Sequence, residues 1–122
     1  MAIEFENFEV YKLSSNLTVE IYKLLQNEKL RHEFEFVNQT KRAIFSVTNN
    51  IAEGSEYNSN AQFVRFLKYS KGSCGEVRNM LNLCRLLFDI DTTTLILDCK
   101  VVSTQLSKFI DYLEKTDNKR KK

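Results

Sequence analysis

SNAQFVRFLKYSKGSCGEVRNMLNLCRLLF, residues 59–88, decides the fold. Read as a helix, it carries an unbroken heptad seam of Phe63, Leu67, Ser70, Cys74, Val77, Leu81, Cys84 and Phe88. A second seam runs beside the first, through Phe66, Tyr69, Ser73, Glu76, Met80, Leu83 and Leu87. Lys68, Lys71, Arg78 and Arg85 occupy a third face with no acidic residue among them. A helix that packs on one core needs one apolar stripe. Two stripes mean contacts on two sides, so this helix is expected to be shared between its own bundle and another subunit. Phe66, Tyr69, Met80, Leu83 and Leu87 are the expected oligomer interface.

Three further segments have a helical period. Val10, Leu13, Leu17, Ile21 and Leu24 define a helix over about 8–26. Val37, Thr40, Ile44, Val47 and Ile51 define one over about 35–53, and Leu95, Cys99, Val102, Leu106, Phe109 and Leu113 one over about 93–114. Ser59 with Gln62 three residues on forms a capping-box pattern that starts the long helix. Gly54 stands where a helix often ends in a left-handed residue. The stretch 27–34, with the chain's one histidine, His32, is expected to be a surface loop. Short connections favour antiparallel neighbours. The expected fold is a single all-α, up-down-up-down four-helix bundle over residues 1–122, with a disordered basic tail from about 116. A fragment of a helical solenoid would need an internal repeat, and the sequence has none.

With 122 residues and no proline, the chain can bury a core and build uninterrupted helices. No apolar run approaches the roughly 20 residues that span a bilayer, and the acidic start differs from a secretory signal. A cytoplasmic protein with no membrane association is expected. The net charge of +2 is unevenly spread. Residues 1–40 hold 4 Lys/Arg against 7 Asp/Glu, whereas residues 41–88 hold 7 against 3. Lys119, Arg120, Lys121 and Lys122 make the tail basic. Either basic region could meet phosphate, or be a solvated face. Cys74, Cys84 and Cys99 fit neither a disulfide framework nor a zinc site by spacing, and read as structural thiols.

Catalytic patterns are missing. There is no glycine-rich phosphate loop, no metal-binding His pair, and no Glu-x-x-His motif for a di-iron bundle. No cofactor or metal is expected, and the chain reads as a non-enzyme, although Glu53 or Glu76 could in principle do acid–base work. Arg42, Asn50, Glu53, Ser73 and Glu76 flank apolar seams and read as a buried polar network, since such groups need partners when buried. A turn centred near Tyr57 pairs residues whose numbers sum to about 115, which would place Arg42 near Glu76.

The same residues carry a resemblance. Gln39-Thr40-Lys41-Arg42-Ala43-Ile44-Phe45-Ser46-Val47-Thr48-Asn49-Asn50-Ile51-Ala52-Glu53-Gly54 resembles the core motif of the bacterial "four helix bundle protein" family, whose founding members are encoded by intervening sequences in 23S rRNA genes. The likeness continues through Phe63 to Leu67 and Gly72 to Glu76, and reaches back to Phe8-Glu9-Val10-Tyr11. Thr48 stands where the family commonly has Pro, and Ser70 where it has Ala. The resemblance implies a homopentamer without known enzymatic activity. It also implies kinship with the accessory variability determinant proteins of diversity-generating retroelements, which use a basic surface to engage nucleic acid and a reverse transcriptase. The leading expectation is an oligomer that binds RNA or DNA backbone through Lys68, Lys71, Arg78 and Arg85. The competing one is a protein-interaction scaffold whose basic stripe meets an acidic protein partner.

Overall fold

A computed structural model describes residues 4–120, and side chains as far as 116. The tail residues Lys119, Arg120, Lys121 and Lys122, and their expected disorder, lie outside the described side chains. Four helices, α1 (Glu9–Leu24), α2 (Phe34–Ser55), α3 (Asn60–Phe88) and α4 (Thr93–Arg120), make up the fold. Short 3-10 turns sit at Phe5–Asn7 and Glu28–Leu30. No strand occurs among the described residues.

Side-chain pairs show the antiparallel order directly. Ser70 Oγ donates to Val47 O at 2.7 Å and Ser73 Oγ to Ser46 Oγ at 2.9 Å, so α3 climbs as α2 descends. Asn60 Nδ2 donates to Leu113 O at 3.3 Å, while Thr92 Oγ1 donates to Leu81 O at 2.9 Å, which sets α3 against α4 in the same way. Phe8 against Phe109, with ring centroids 5.0 Å apart, seats the start of α1 on the far part of α4.

The core is the first α3 seam with everything packed on it. Phe63, Leu67, Ser70, Cys74, Val77, Leu81 and Cys84 are buried. They meet Ile44, Val47 and Ile51 of α2 and Cys99, Val102 and Leu106 of α4 in one cluster. Complete burial of a Leu or Ile contributes about 1.5–3 kcal/mol each, so the seam dominates the stability of the bundle. α3 packs extensively on both α2 and α4, whereas α1 makes the slighter contacts. Among the described residues α3, with 29, is the longest helix, by one residue over α4. The presumed surface loop before α2 departs from expectation: Leu30 is 1% exposed and belongs to the core, because the 3-10 turn folds it inward.

The two helix ends around α3 also differ from the sequence reading. Ser59 Oγ accepts from Gln62 N at 3.2 Å, so the N-cap half of the capping box forms. Gly54, however, lies within α2 and has no positive φ. Its role is close approach: a Cβ there would sit 2.6 Å from Phe66 Cβ and 3.0 Å from Phe63 Cδ1. The left-handed residue is Asp89, after α3, at φ 57 and ψ 44. Asp tolerates this conformation at some cost, and Gly adopts it without a Cβ penalty. Asp89→Gly should therefore raise the unfolding free energy by up to about 1 kcal/mol in a urea titration. A clear loss of stability would mean that the Asp89 side chain makes a contact worth more than the strain.

Candidate subunit and nucleic-acid interfaces

The first α3 seam divides the rest of the helix into two sides. Phe66, Ser73, Met80 and Leu87 lie a heptad apart on the α2 side, and Val64, Lys71, Arg78 and Arg85 lie a heptad apart on the α4 side. Because 7 residues are nearly two helical turns, each set stays on its own line along the axis.

On the α4 side, Lys68, Lys71, Arg78 and Arg85 are all exposed. Among the described residues their one ion pair is Lys68 Nζ to Glu114 Oε2 at 3.9 Å, with both side chains more than half exposed. A pair so long and so wet holds neither partner firmly. Lys71 and Arg78 lie near enough to the α3–α4 seam for their charge to favour the thiolate of Cys74. Arg85 acts similarly, though weakly, on the carboxylate of Asp91, which is held below its ordinary range chiefly by hydrogen bonds from Thr93. The result is a row of cations along one edge of α3, facing solvent.

On the α2 side, the second seam is partly used within the chain. Phe66 is half-buried and stacks on Tyr57, with centroids 5.3 Å apart and planes 12° from parallel. Tyr69 meets the edge of Phe66 at 5.7 Å and accepts a hydrogen bond from Arg65 Nε at 2.9 Å. Met80 and Leu83 are half-buried, while Tyr69 and Leu87 are 48% and 63% exposed. The single chain thus leaves this seam incompletely covered. Phe45 and Tyr57, neither singled out by period, are exposed aromatic residues of the same helix pair and its turn. A different apolar face escaped the sequence reading altogether. Leu97, Val101 and Tyr112 of α4 are exposed, and Val101 borders a cleft of about 150 Å³ with Leu13, Leu17 and Val102. The i, i+4 spacing of Leu97 and Val101 was the available signal, masked by the stronger core seam on the same helix.

The polar set behaves differently from the expectation. Asn50 and Ser73 do come together, through Ser46: Asn50 Nδ2 donates to Ser46 Oγ at 3.0 Å and Ser73 Oγ donates to it at 2.9 Å. Both are half-buried. Arg42, Glu53 and Glu76, by contrast, are exposed in the chain, so they form no buried network there. Glu76 Oε2 accepts from Gln39 Nε2 at 3.4 Å, and no ion pair joins it to Arg42 among the described residues. The reason is azimuth. Gln39, Ser46 and Asn50 line the α3-facing edge of α2, and Arg42 reaches about the right height on the neighbouring, outward line. Ser46 and Ser70 were the polar residues that joined the helices; a serine within a buried seam was the signal for Ser70, and Ser46 carried none.

Among the described residues, no three His, Cys, Asp or Glu side chains are grouped to hold a metal ion. No described helix is long and apolar enough to cross a membrane. A family model described as "23S rRNA-intervening sequence protein" matches residues 6–113 of the chain. That span takes in all of α1, α2 and α3 and α4 as far as its last buried core residue, Leu113. No curated protein matches the chain.

Proposed function

The chain belongs to the 23S rRNA-intervening sequence protein family, and from that premise we propose a non-catalytic homo-oligomer that grips RNA or DNA backbone through α3. The observation that carries this reading is the separation of two faces on one helix. Lys68, Lys71, Arg78 and Arg85 stay exposed on the α4 side, and the incompletely covered seam of Phe66, Tyr69, Met80, Leu83 and Leu87 lies on the α2 side. One helix can then serve a neighbouring subunit and a polyanion without either blocking the other. Lys68 to Arg85 spans 17 residues, or about 26 Å at the helical rise, a useful length along a phosphate backbone.

Contacts of this kind give affinity without sequence preference. An oligomer repeats the stripe, so weak contacts on one subunit add as avidity. The family resemblance makes five the expected subunit number. The Glu53 and Glu76 carboxylates are exposed, and Glu76 accepts from Gln39.

A salt titration of binding to a generic RNA duplex tests the nucleic-acid half. If each subunit neutralises four phosphates, log affinity should fall with log salt at a slope of about −3.6 per engaged subunit. Absence of binding at low salt would favour a scaffold whose basic stripe meets an acidic protein.

A further inference from the structure

Cys74 and Cys99 are 25 residues apart, on different helices, yet they meet inside the bundle. Cys74 Sγ donates to Cys99 O at 3.3 Å, so one thiol lies against the backbone of the residue that carries the other. Both are 1% exposed. The third thiol, Cys84, is equally buried, but burial alone perturbs it and no second cysteine acts on it. The chain therefore holds one thiol pair and one solitary thiol in the same core.

We propose that Cys74 and Cys99 are a redox modification site, closing to a reversible intramolecular disulfide between α3 and α4 when the protein meets a peroxide. The site is built in three respects. The Cys74 sulfur already lies 3.3 Å from the Cys99 carbonyl oxygen across two antiparallel helices, so closing the bond, within the narrow geometry a disulfide demands, starts from two residues in contact. The pair is also asymmetric. The neighbouring Cys99, with help from Arg78 and Lys71, favours the thiolate on Cys74, while the neighbouring Cys74 and burial disfavour it on Cys99. A thiolate attacks and a thiol waits, the division of labour that disulfide formation needs. Third, the two cations supplying part of this field stand on the exposed edge of α3, the side from which a small polar oxidant would arrive.

The chemistry balances in two steps. The Cys74 thiolate attacks one oxygen of hydrogen peroxide, the O–O bond breaks, and the departing hydroxide takes up a proton as water, leaving a sulfenic acid. The Cys99 sulfur, losing its proton, attacks the Cys74 sulfur and expels the hydroxyl as a second water. Two thiols are oxidised by two electrons, and one peroxide is reduced to two waters. Burial slows the first step, because oxidant must enter through local opening of the α3–α4 seam.

The test treats the folded, full-length protein with hydrogen peroxide, quenches with an alkylating agent under denaturing conditions, and maps peptides by mass. A Cys74–Cys99 linked peptide should appear, lighter by two hydrogen atoms and restored by dithiothreitol, with Cys84 recovered alkylated. Cys84→Ala should leave the cross-link intact and Cys99→Ala should abolish it; a circular-dichroism melt checks that each variant is folded. The same treatment in urea supplies the reference for random pairing. Three results would overturn the proposal: no linked peptide from the folded protein while the unfolded chain cross-links, pairings that include Cys84 as often as the others, or overoxidation of Cys74 without a cross-link.

Discussion

Gly54→Ala should destabilise the protein by about 1–2 kcal/mol, although the same change at Gly72 or Gly75 should stabilise it by up to about 1 kcal/mol. All three glycines lie inside helices, where Ala is intrinsically better by about 1 kcal/mol. Only their surroundings differ. At Gly54 the new methyl would meet Phe66 Cβ at 2.6 Å, an atom that cannot rotate away because it is fixed to the α3 backbone. Phe63 at 3.0 Å closes the other side. α2 and α3 must then separate at their closest approach, and overpacking of this kind typically costs about 1–3 kcal/mol, outweighing the propensity gain. Gly72 and Gly75 have nothing within 4 Å of an added methyl. Urea midpoints of the three variants measure this. A Gly54→Ala protein as stable as the parent would mean that the α2–α3 crossing is looser than described.

Reversing two charges, Lys71→Glu together with Arg78→Glu, should weaken RNA-duplex binding on the order of a hundredfold or more at low salt. Two of four cations are lost and two like charges are set against the phosphates. The salt slope per engaged subunit should fall from about −3.6 to about −1.8 or less. Folding should change little, since both side chains are exposed and neither makes a salt bridge among the described residues. Binding that survives the double change, with its slope unaltered, would place the nucleic-acid surface elsewhere on the protein.

Much of this was legible in the sequence because heptad spacing reports burial directly. The seam of Phe63, Leu67, Cys74, Val77, Leu81 and Cys84 is buried as its period required, and the period also separated the cation line from the second seam. Position along a helix was legible too: numbers summing to about 115 brought Gln39 to Glu76, and Ser73 close to Ser46. Angle around the axis was not, and that is why Arg42 was matched to Glu76 when Gln39 is the residue on the facing edge. Gly54 was misread for a related reason, since a glycine near a helix end serves a left-handed cap and a close crossing equally well in one dimension. Leu30 hid in a short charged stretch, where no period can form. Cys74 and Cys99 are far apart in sequence, and only the register of α3 against α4 makes them a pair.

We propose that α3 belongs to two bodies at once, its own bundle and a neighbouring subunit. Light scattering coupled to size exclusion on the unmodified protein tests it most directly. The expected mass is a multiple of the 14.3 kDa chain, five chains being the multiple the family resemblance implies. A mass that stays near 14.3 kDa at every concentration would contradict it, leaving Tyr69 and Leu87 as ordinary surface residues.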